Sequence, residues 1–396
     1  MLPVIAIGTV ILLFVFIKFL RIHDETTRPK LHHSGSGFIK LLQKVISKCP
    51  SLTEIYQPPS LWGKCGHIQT AIYGKIGRID CPQPNGKRHS ITLATKETIT
   101  FDVFQPVNGH HSSGECTILV CPGICNSSEK KYVRTFIHYA VNMGFRVAVL
   151  NHIGALPNVR LTSPKIFTYG ETKYFDCMVQ CVTSRYPTSR YVIVGFSMGA
   201  NIVVRYLAED RSRQLPIVCA VSWCQGYDGL RSTHALSSGF GRFYNYMVTM
   251  NFKKILKPHW NELFKVPTNN NDTKLSYDEK KVESATTLAE IEDGLLRHFD
   301  GFKSHVDYKA LCGCAHMIDN IHIPILLLNS EDDPLIISDV HDIPISYSRK
   351  SEKGLFAAMQ HGGHLGFYKG RWYKPDATTL LESITMEYIE AVLGHI

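Results

Sequence analysis

Charge is scarce in this chain. Charged residues make up 19% of it against 44% for apolar ones, a ratio that excludes a solvated, disordered polymer and calls for a buried core. No stretch repeats at a fixed period, which excludes a solenoid or a propeller. The 12 cysteines have no regular spacing, and a chain of 396 residues is large enough to fold without a disulfide framework. Cys116, Cys121 and Cys219 lie in or beside apolar runs and read as small core residues. Cys312 and Cys314 precede His316, but no second cluster of ligand-type residues has matching spacing, so no metal is indicated. Zinc-finger, RNP and basic-zipper patterns are absent as well. The net charge of +9 comes from dispersed Lys and Arg, mildly concentrated between Lys253 and Lys281. It reads as a solvated surface or a preference for anionic lipid, not as a nucleic-acid interface.

What is present begins with an apolar run. Leu2 to Leu20 is broken only by Lys18. Its length is about that needed to cross a bilayer core of about 30 Å, and it lacks the short core and small-residue cleavage site of a signal peptide. Residues 1–21 are therefore expected to be an uncleaved, single-pass anchor tying the protein to a membrane bilayer. Lys18, Arg21, Arg28 and Lys30 follow the span, which by the positive-inside rule puts the bulk of the chain on the cytoplasmic side. Residues 22–88 are expected to be a linker and a membrane-proximal segment. Within it, Phe38, Leu41, Leu42, Val45 and Ile46 recur at helical spacing among lysines. Such a helix suits a membrane surface or the flank of a globular domain.

From about residue 89 the pattern is that of an α/β domain. His89–Thr95 and Thr98–Gln105 read as a hairpin. Thr117–Cys121, Arg146–Leu150, Tyr191–Gly195 and Val218–Cys224 are short apolar runs, separated by helical patterns at Lys130–Met143, Thr172–Arg185 and Met198–Glu209. This alternation predicts a mostly parallel central sheet with helices on both faces. The rhythm stops at Gln225 and resumes with Ile325–Asn329 and Leu355–Met359, followed by a helix over Ala377–Leu393. Residues 89–225 and 321–396 are thus two parts of one core, and 226–320 an inserted helical cap.

Chemistry concentrates at Tyr191–Leu207. An apolar strand ends at Gly195, Ser197 follows between Gly195 and Gly199, and a helix begins at Met198. G-x-S-x-G between strand and helix is a nucleophile elbow, in which side chains flanking the turn would collide. A serine needs a base, and the base needs an orienting acid. Downstream, in that fold's order of acid then base, Asp332 and Asp333 follow one strand while His361 and His364 follow the next. Pro334 favours an extended backbone at Asp333, and glycines around His364 leave room for its imidazole, but within each pair the choice stays open. Oxyanion donors are expected at the Met198 N–H and in the loop Pro122–Cys125, with Ile124 first. Asn126 and Asn271 head glycosylation sequons, of which Asn271 is favoured because Asn126 lies beside that loop.

Longer motifs carry a resemblance. Trp62–Thr70 (W-G-K-x-G-H-I-Q-T), Cys121–Ile124, Val149–Asn158 (V-L-N-H-x-G-A-L-P-N), Val194–Gly199, Cys224–Tyr227, Asp332–Leu335 and His361–Phe367 together resemble the AB-hydrolase-4 group of the α/β-hydrolase superfamily. The resemblance runs from about Leu61 to the C-terminus and departs from the group at Met198 and at Asn269–Thr273. It implies a triad of Ser197, Asp333 and His364. It implies hydrolysis of monoacylglycerols, extending to other acylglycerols and short esters, without metal or organic cofactor. It also implies a type II single-pass orientation, opposite to the charge-based one, in the plasma membrane or endoplasmic reticulum, and raises a steroid as regulator, although no residue points to a steroid site. A phospholipase, a short-chain carboxylesterase and a catalytically silent lipid-binding protein are the rival readings. Oligomeric state has no signature in the sequence.

Overall fold

The structure, a computed structural model, describes residues 15–35, 40–75, 81–82, 84–264 and 277–395. Among the described residues nine strands form the main sheet: β1 (Lys30–His32), β2 (Gly86–Thr92), β3 (Thr98–Phe104), β4 (Cys116–Cys121), β5 (Arg146–Asn151), β6 (Arg190–Phe196), β7 (Ile217–Trp223), β8 (Ile325–Ser330) and β9 (Gly354–Met359). Their order is β1-β9-β8-β7-β6-β4-β5-β3-β2. From β5 to β9 every pairing is parallel. At the two edges β1 joins β9, and β2 and β3 join β5, in antiparallel fashion.

The residues of the central strands explain their place. β4, β5, β8 and β9 are buried at every position, as continuous Val, Ile and Leu runs must be when helices cover both faces. On one face Leu119, Ile193, Ala220 and Ile325 pack with Met178 and Ile202 from the helices Lys173–Arg185 and Met198–Glu209. On the other, Val120, Val194, Val221 and Leu326 pack with Phe136 from the helix Lys131–Asn142 and Ile384 from the helix Leu380–Leu393. β2 lies at the sheet edge with an exposed pattern.

The described part of residues 22–88 is tied into this body. β1 pairs Leu31 with Ala357. Leu42 and Val45 of the helix Lys40–Lys48 enter the second core beside Leu393, and Lys44 Nζ donates to the Gly394 carbonyl. That helix packs on the domain.

The expected single-pass anchor is corrected. Among the described residues no helix is long and apolar enough to cross a membrane. Within 1–21 the described helical part is residues 15–20. Leu20 turns into the protein and is 5% exposed. Lys64 Nζ then caps the chain as it leaves that helix, donating to the carbonyls of Ile22 and Asp24. The rest of the apolar run, residues 1–14, lies outside the described residues.

Between β7 and β8 the described residues hold helices and no strand, including Gly229–Ala235, Gly241–Leu256, Leu288–Gly294 and His305–Cys312. Phe252, Leu256, Leu288 and Ile291 join the first core. A buried carboxylate binds two of these helices: Glu292 accepts from Lys309 Nζ at 2.6 Å and faces His305 Nε2 at 2.9 Å. The Lys309 and Glu292 side chains are 7% and 2% exposed, so loss of one partner strands the other in a poorly solvated site. Lys309→Met is expected to lower the unfolding free energy by about 3 kcal/mol in a urea titration; an unchanged midpoint and slope would show that the pair contributes nothing.

Candidate active site

β6 delivers Ser197 to the carboxyl edge of the sheet. Its backbone sits at φ +55° and ψ −119°, a conformation costly for a residue with a Cβ. The surroundings hold it there. The Ser197 N–H donates to the Trp223 carbonyl at 2.8 Å, and the helix Met198–Glu209 starts at the next residue. Gly199 is required by close approach, since a Cβ there would lie 2.1 Å from the Cys121 carbonyl oxygen and 2.3 Å from that of Pro122.

Two successive strands bring the other groups. β8 leads to Asp333 and β9 to His364. His364 Nε2 lies 2.8 Å from Ser197 Oγ, and His364 Nδ1 lies 2.7 Å from Asp333 Oδ2. A carboxylate accepts only, so Nδ1 carries the proton and Nε2 is left to accept from the serine hydroxyl. Asp333 is fixed in turn, its Oδ1 taking the N–H groups of Leu335 and Ile336 at 2.8 and 3.0 Å. Its side chain is fully buried. The arrangement can move a proton from a hydroxyl to an imidazole whose cation would sit beside a buried carboxylate.

The sequence left Asp332 and His361 as competitors for the same roles, and the geometry gives them different work. Asp332 Oδ1 accepts the Gly363 N–H at 2.8 Å. His361, 1% exposed, puts Nδ1 at 3.4 Å from Asp332 Oδ2 and Nε2 at 3.4 Å from the Glu25 carbonyl. Neither contacts Ser197. Gly363 itself has φ +55°, and a Cβ on it would lie 2.4 Å from the Gly66 carbonyl oxygen. Thr70 Oγ1 accepts the His364 N–H at 2.8 Å, and Ser330 Oγ donates to the Gly363 carbonyl at 2.8 Å. Thr70, Asp332 and Ser330 thus hold the backbone of the loop that carries His364. Sequence reading assigned none of them this task. Thr70 does end the W-G-K-x-G-H-I-Q-T stretch, the signal that could have found it.

The loop after β4 lies against the nucleophile: a Cβ on Gly123 would be 3.4 Å from Ser197 Cβ. Among the described residues neither the Ile124 nor the Met198 N–H donates to a loop or turn carbonyl. Asn126 is half-buried in this loop and its amide nitrogen reaches the Tyr132 hydroxyl at 3.3 Å, an atom a glycan would need. Asn271 lies outside the described residues. For a metal, the group of side chains placed to hold one, among the described residues, is Cys224, Asp333 and His364, with ligand atoms within 4.8 Å of one another. The fit is poor. Burial pushes the Cys224 thiol far up, away from the thiolate a metal needs, and Asp333 and His364 already hold each other.

Comparison with known proteins identifies the family. The family model for the alpha/beta hydrolase fold matches residues 117–370. The chain belongs to the α/β-hydrolase family. It is 42% identical over 386 residues to human "Monoacylglycerol lipase ABHD2", covering 96% of this chain and 89% of that one. With the Drosophila melanogaster "Abhydrolase domain-containing protein 2" it shares 36% over 375 residues, 94% and 92% of the two chains. Human "Phospholipase ABHD3" is 25% identical over 381 residues, 95% of this chain and 88% of its own.

The two aspartates make a sharp comparison. Asp333→Asn is expected to cut turnover of a chromogenic ester by about 10³- to 10⁴-fold, because an amide favours the wrong imidazole tautomer. Asp332→Asn keeps an oxygen for the Gly363 N–H and is expected to stay within about tenfold of wild type, the scale of losing no more than one hydrogen bond's worth of order. Equal losses in both would contradict the division of labour.

Proposed function

We propose that this chain is a serine hydrolase that releases fatty acids from monoacylglycerols through an acyl-enzyme. Ser197 Oγ attacks the ester carbonyl carbon while its proton passes to His364 Nε2. Asp333 keeps the imidazole oriented and stabilises its cation. The oxyanion of the tetrahedral intermediate takes hydrogen bonds from the Met198 and Ile124 N–H groups, aided by the positive end of the helix Met198–Glu209. Collapse breaks the ester bond, and glycerol leaves with the proton from His364. Water then repeats the sequence on the acyl-serine, giving its proton to His364 and releasing the fatty acid.

The observation that carries this reading is the chain of two hydrogen bonds at 2.8 and 2.7 Å through His364. Similarity along nearly the whole length to a protein named for monoacylglycerol hydrolysis supports the substrate. A second reading, phospholipid hydrolysis by the same residues, is favoured by the more distant similarity to a phospholipase.

Ser197→Ala, His364→Ala and wild-type protein are to be compared by fluorophosphonate labelling and by fatty-acid release from a monoacylglycerol and a phosphatidylcholine. Wild type is expected to label at Ser197 and to hydrolyse the monoacylglycerol faster, and each folded variant to lose at least about 10⁴-fold. Faster release from the phospholipid would favour the second reading. Absence of labelling in folded wild type would sink both.

A further inference from the structure

One peptide bond beside the nucleophile is held at both of its polar ends. The Pro122 carbonyl oxygen lies 2.8 Å from His152 Nε2. The N–H of the same peptide unit, on Gly123, donates to the Tyr132 hydroxyl at 2.9 Å. The two partners are 4% and 6% exposed and come from opposite sides of the sheet. His152 follows β5 and lies against Phe167, with ring centroids 5.2 Å apart. Tyr132, in the first turn of the helix Lys131–Asn142, packs edge-on to Phe196 at 5.5 Å. The clamped carbonyl also lies within 2.3 Å of where a Gly199 Cβ would be, so the nucleophile helix closes a third side.

A planar peptide fixed at its oxygen and its N–H cannot swivel. The next N–H along, that of Ile124, then depends on the two dihedrals of Gly123 alone. Glycine is the residue whose dihedrals are least restrained by its own atoms, so the clamp is where order has to come from. We propose that His152 and Tyr132 are positioning residues that immobilise the Pro122–Gly123 peptide and so aim the Ile124 N–H at the oxyanion. The proposal rests on the serine-hydrolase reading above and adds to it the means by which the second donor is set.

The chemistry of both side chains suits the task. A carbonyl accepts only, so His152 must carry its proton on Nε2. Burial pushes its pKa down to about 4, which leaves the ring neutral and in that tautomer through the working range. Burial likewise pushes the Tyr132 phenol up to about 12, so its oxygen stays a neutral acceptor. His152 Nε2 is committed to a backbone oxygen and is not free to act on Ser197.

The test is steady-state turnover of a soluble chromogenic ester by the full chain, with the rate of fluorophosphonate labelling measured in parallel. His152→Phe keeps a ring of similar bulk and removes the donor. It is expected to lower kcat and the labelling rate about 10- to 100-fold, less than the 10²- to 10³-fold typical of losing an oxyanion donor outright, with KM within about threefold. The acid limb of its pH–rate profile should not move, since His364 is untouched. His152→Gln, which restores an N–H donor, should recover most of the loss, and Tyr132→Phe should show the same split between kcat and KM. Wild-type kcat in folded His152→Phe and Tyr132→Phe would overturn the proposal. So would losses that track the melting temperature and are not recovered by His152→Gln. If Ser197→Ala keeps its turnover, it is the serine-hydrolase reading that has failed, and the clamp falls with it.

Discussion

The helix after Ser197 presses on the end of β4 with nothing between them but a glycine. At Gly199 a single added carbon would lie 2.1 Å from the Cys121 carbonyl oxygen, well inside van der Waals contact. That approach brings together two segments whose separate positions would mean little: the turn that carries the serine hydroxyl and the loop after β4 that lies against it. It also accounts for the unfavourable backbone at Ser197. A residue at φ +55° persists only where its neighbours leave no alternative, and here the strand before it, the Trp223 carbonyl and the packed helix after it supply that constraint. The acid and base loops are arranged around this fixed point. The base loop is held by backbone bonds to Thr70, Asp332 and Ser330, and Asp333 by the N–H groups of Leu335 and Ile336.

How much of this could be read in the sequence follows from which interactions are local. The strands β4 to β9 were legible because burial on both faces writes itself as an unbroken apolar run, and all but their end residues were placed. Strand β1 was not. Lys-Leu-His has no alternation of its own and becomes a strand by pairing with β9. The hairpin Tyr368–Arg371 and Lys374–Thr379 was missed for a related reason. Its residues include Pro375 and Asp376, poor strand formers, and the apolar pattern beyond drew the expected helix forward to Ala377. A better signal was available: Thr379 and Glu382 form a capping box that fixes the helix start at Leu380.

In the site, the serine, its order relative to acid and base, and the two candidate pairs were all legible, because an elbow and two strand ends are local patterns. The choice between neighbours was not, since Asp332 and Asp333 differ only in what their carboxylates meet in three dimensions. Thr70 and His152 show the same limit from the other side. Each acts on a backbone group distant in the chain, His364 N–H for one and the Pro122 carbonyl for the other, and no spacing rule announces such a partnership. The N-terminal apolar run was read from its length and hydropathy, which carry no record of the tertiary contacts that bury Leu20.

The edge strand bears on how the molecule is made. Lys30–His32 pairs with β9, and beside it Thr27 Oγ1 donates to Gln360 Oε1, 333 residues away in sequence. Contacts so far apart in the chain form late and slowly. A ribosome releases the first strand of this sheet long before the strand that must receive it, so the N-terminal segment has to wait, unpaired, through the synthesis of almost the whole domain. Because β9 runs directly into the loop of His364, the step that seats the earliest-made strand is also among the last to brace the site. The nascent protein therefore passes most of its synthesis without a finished centre.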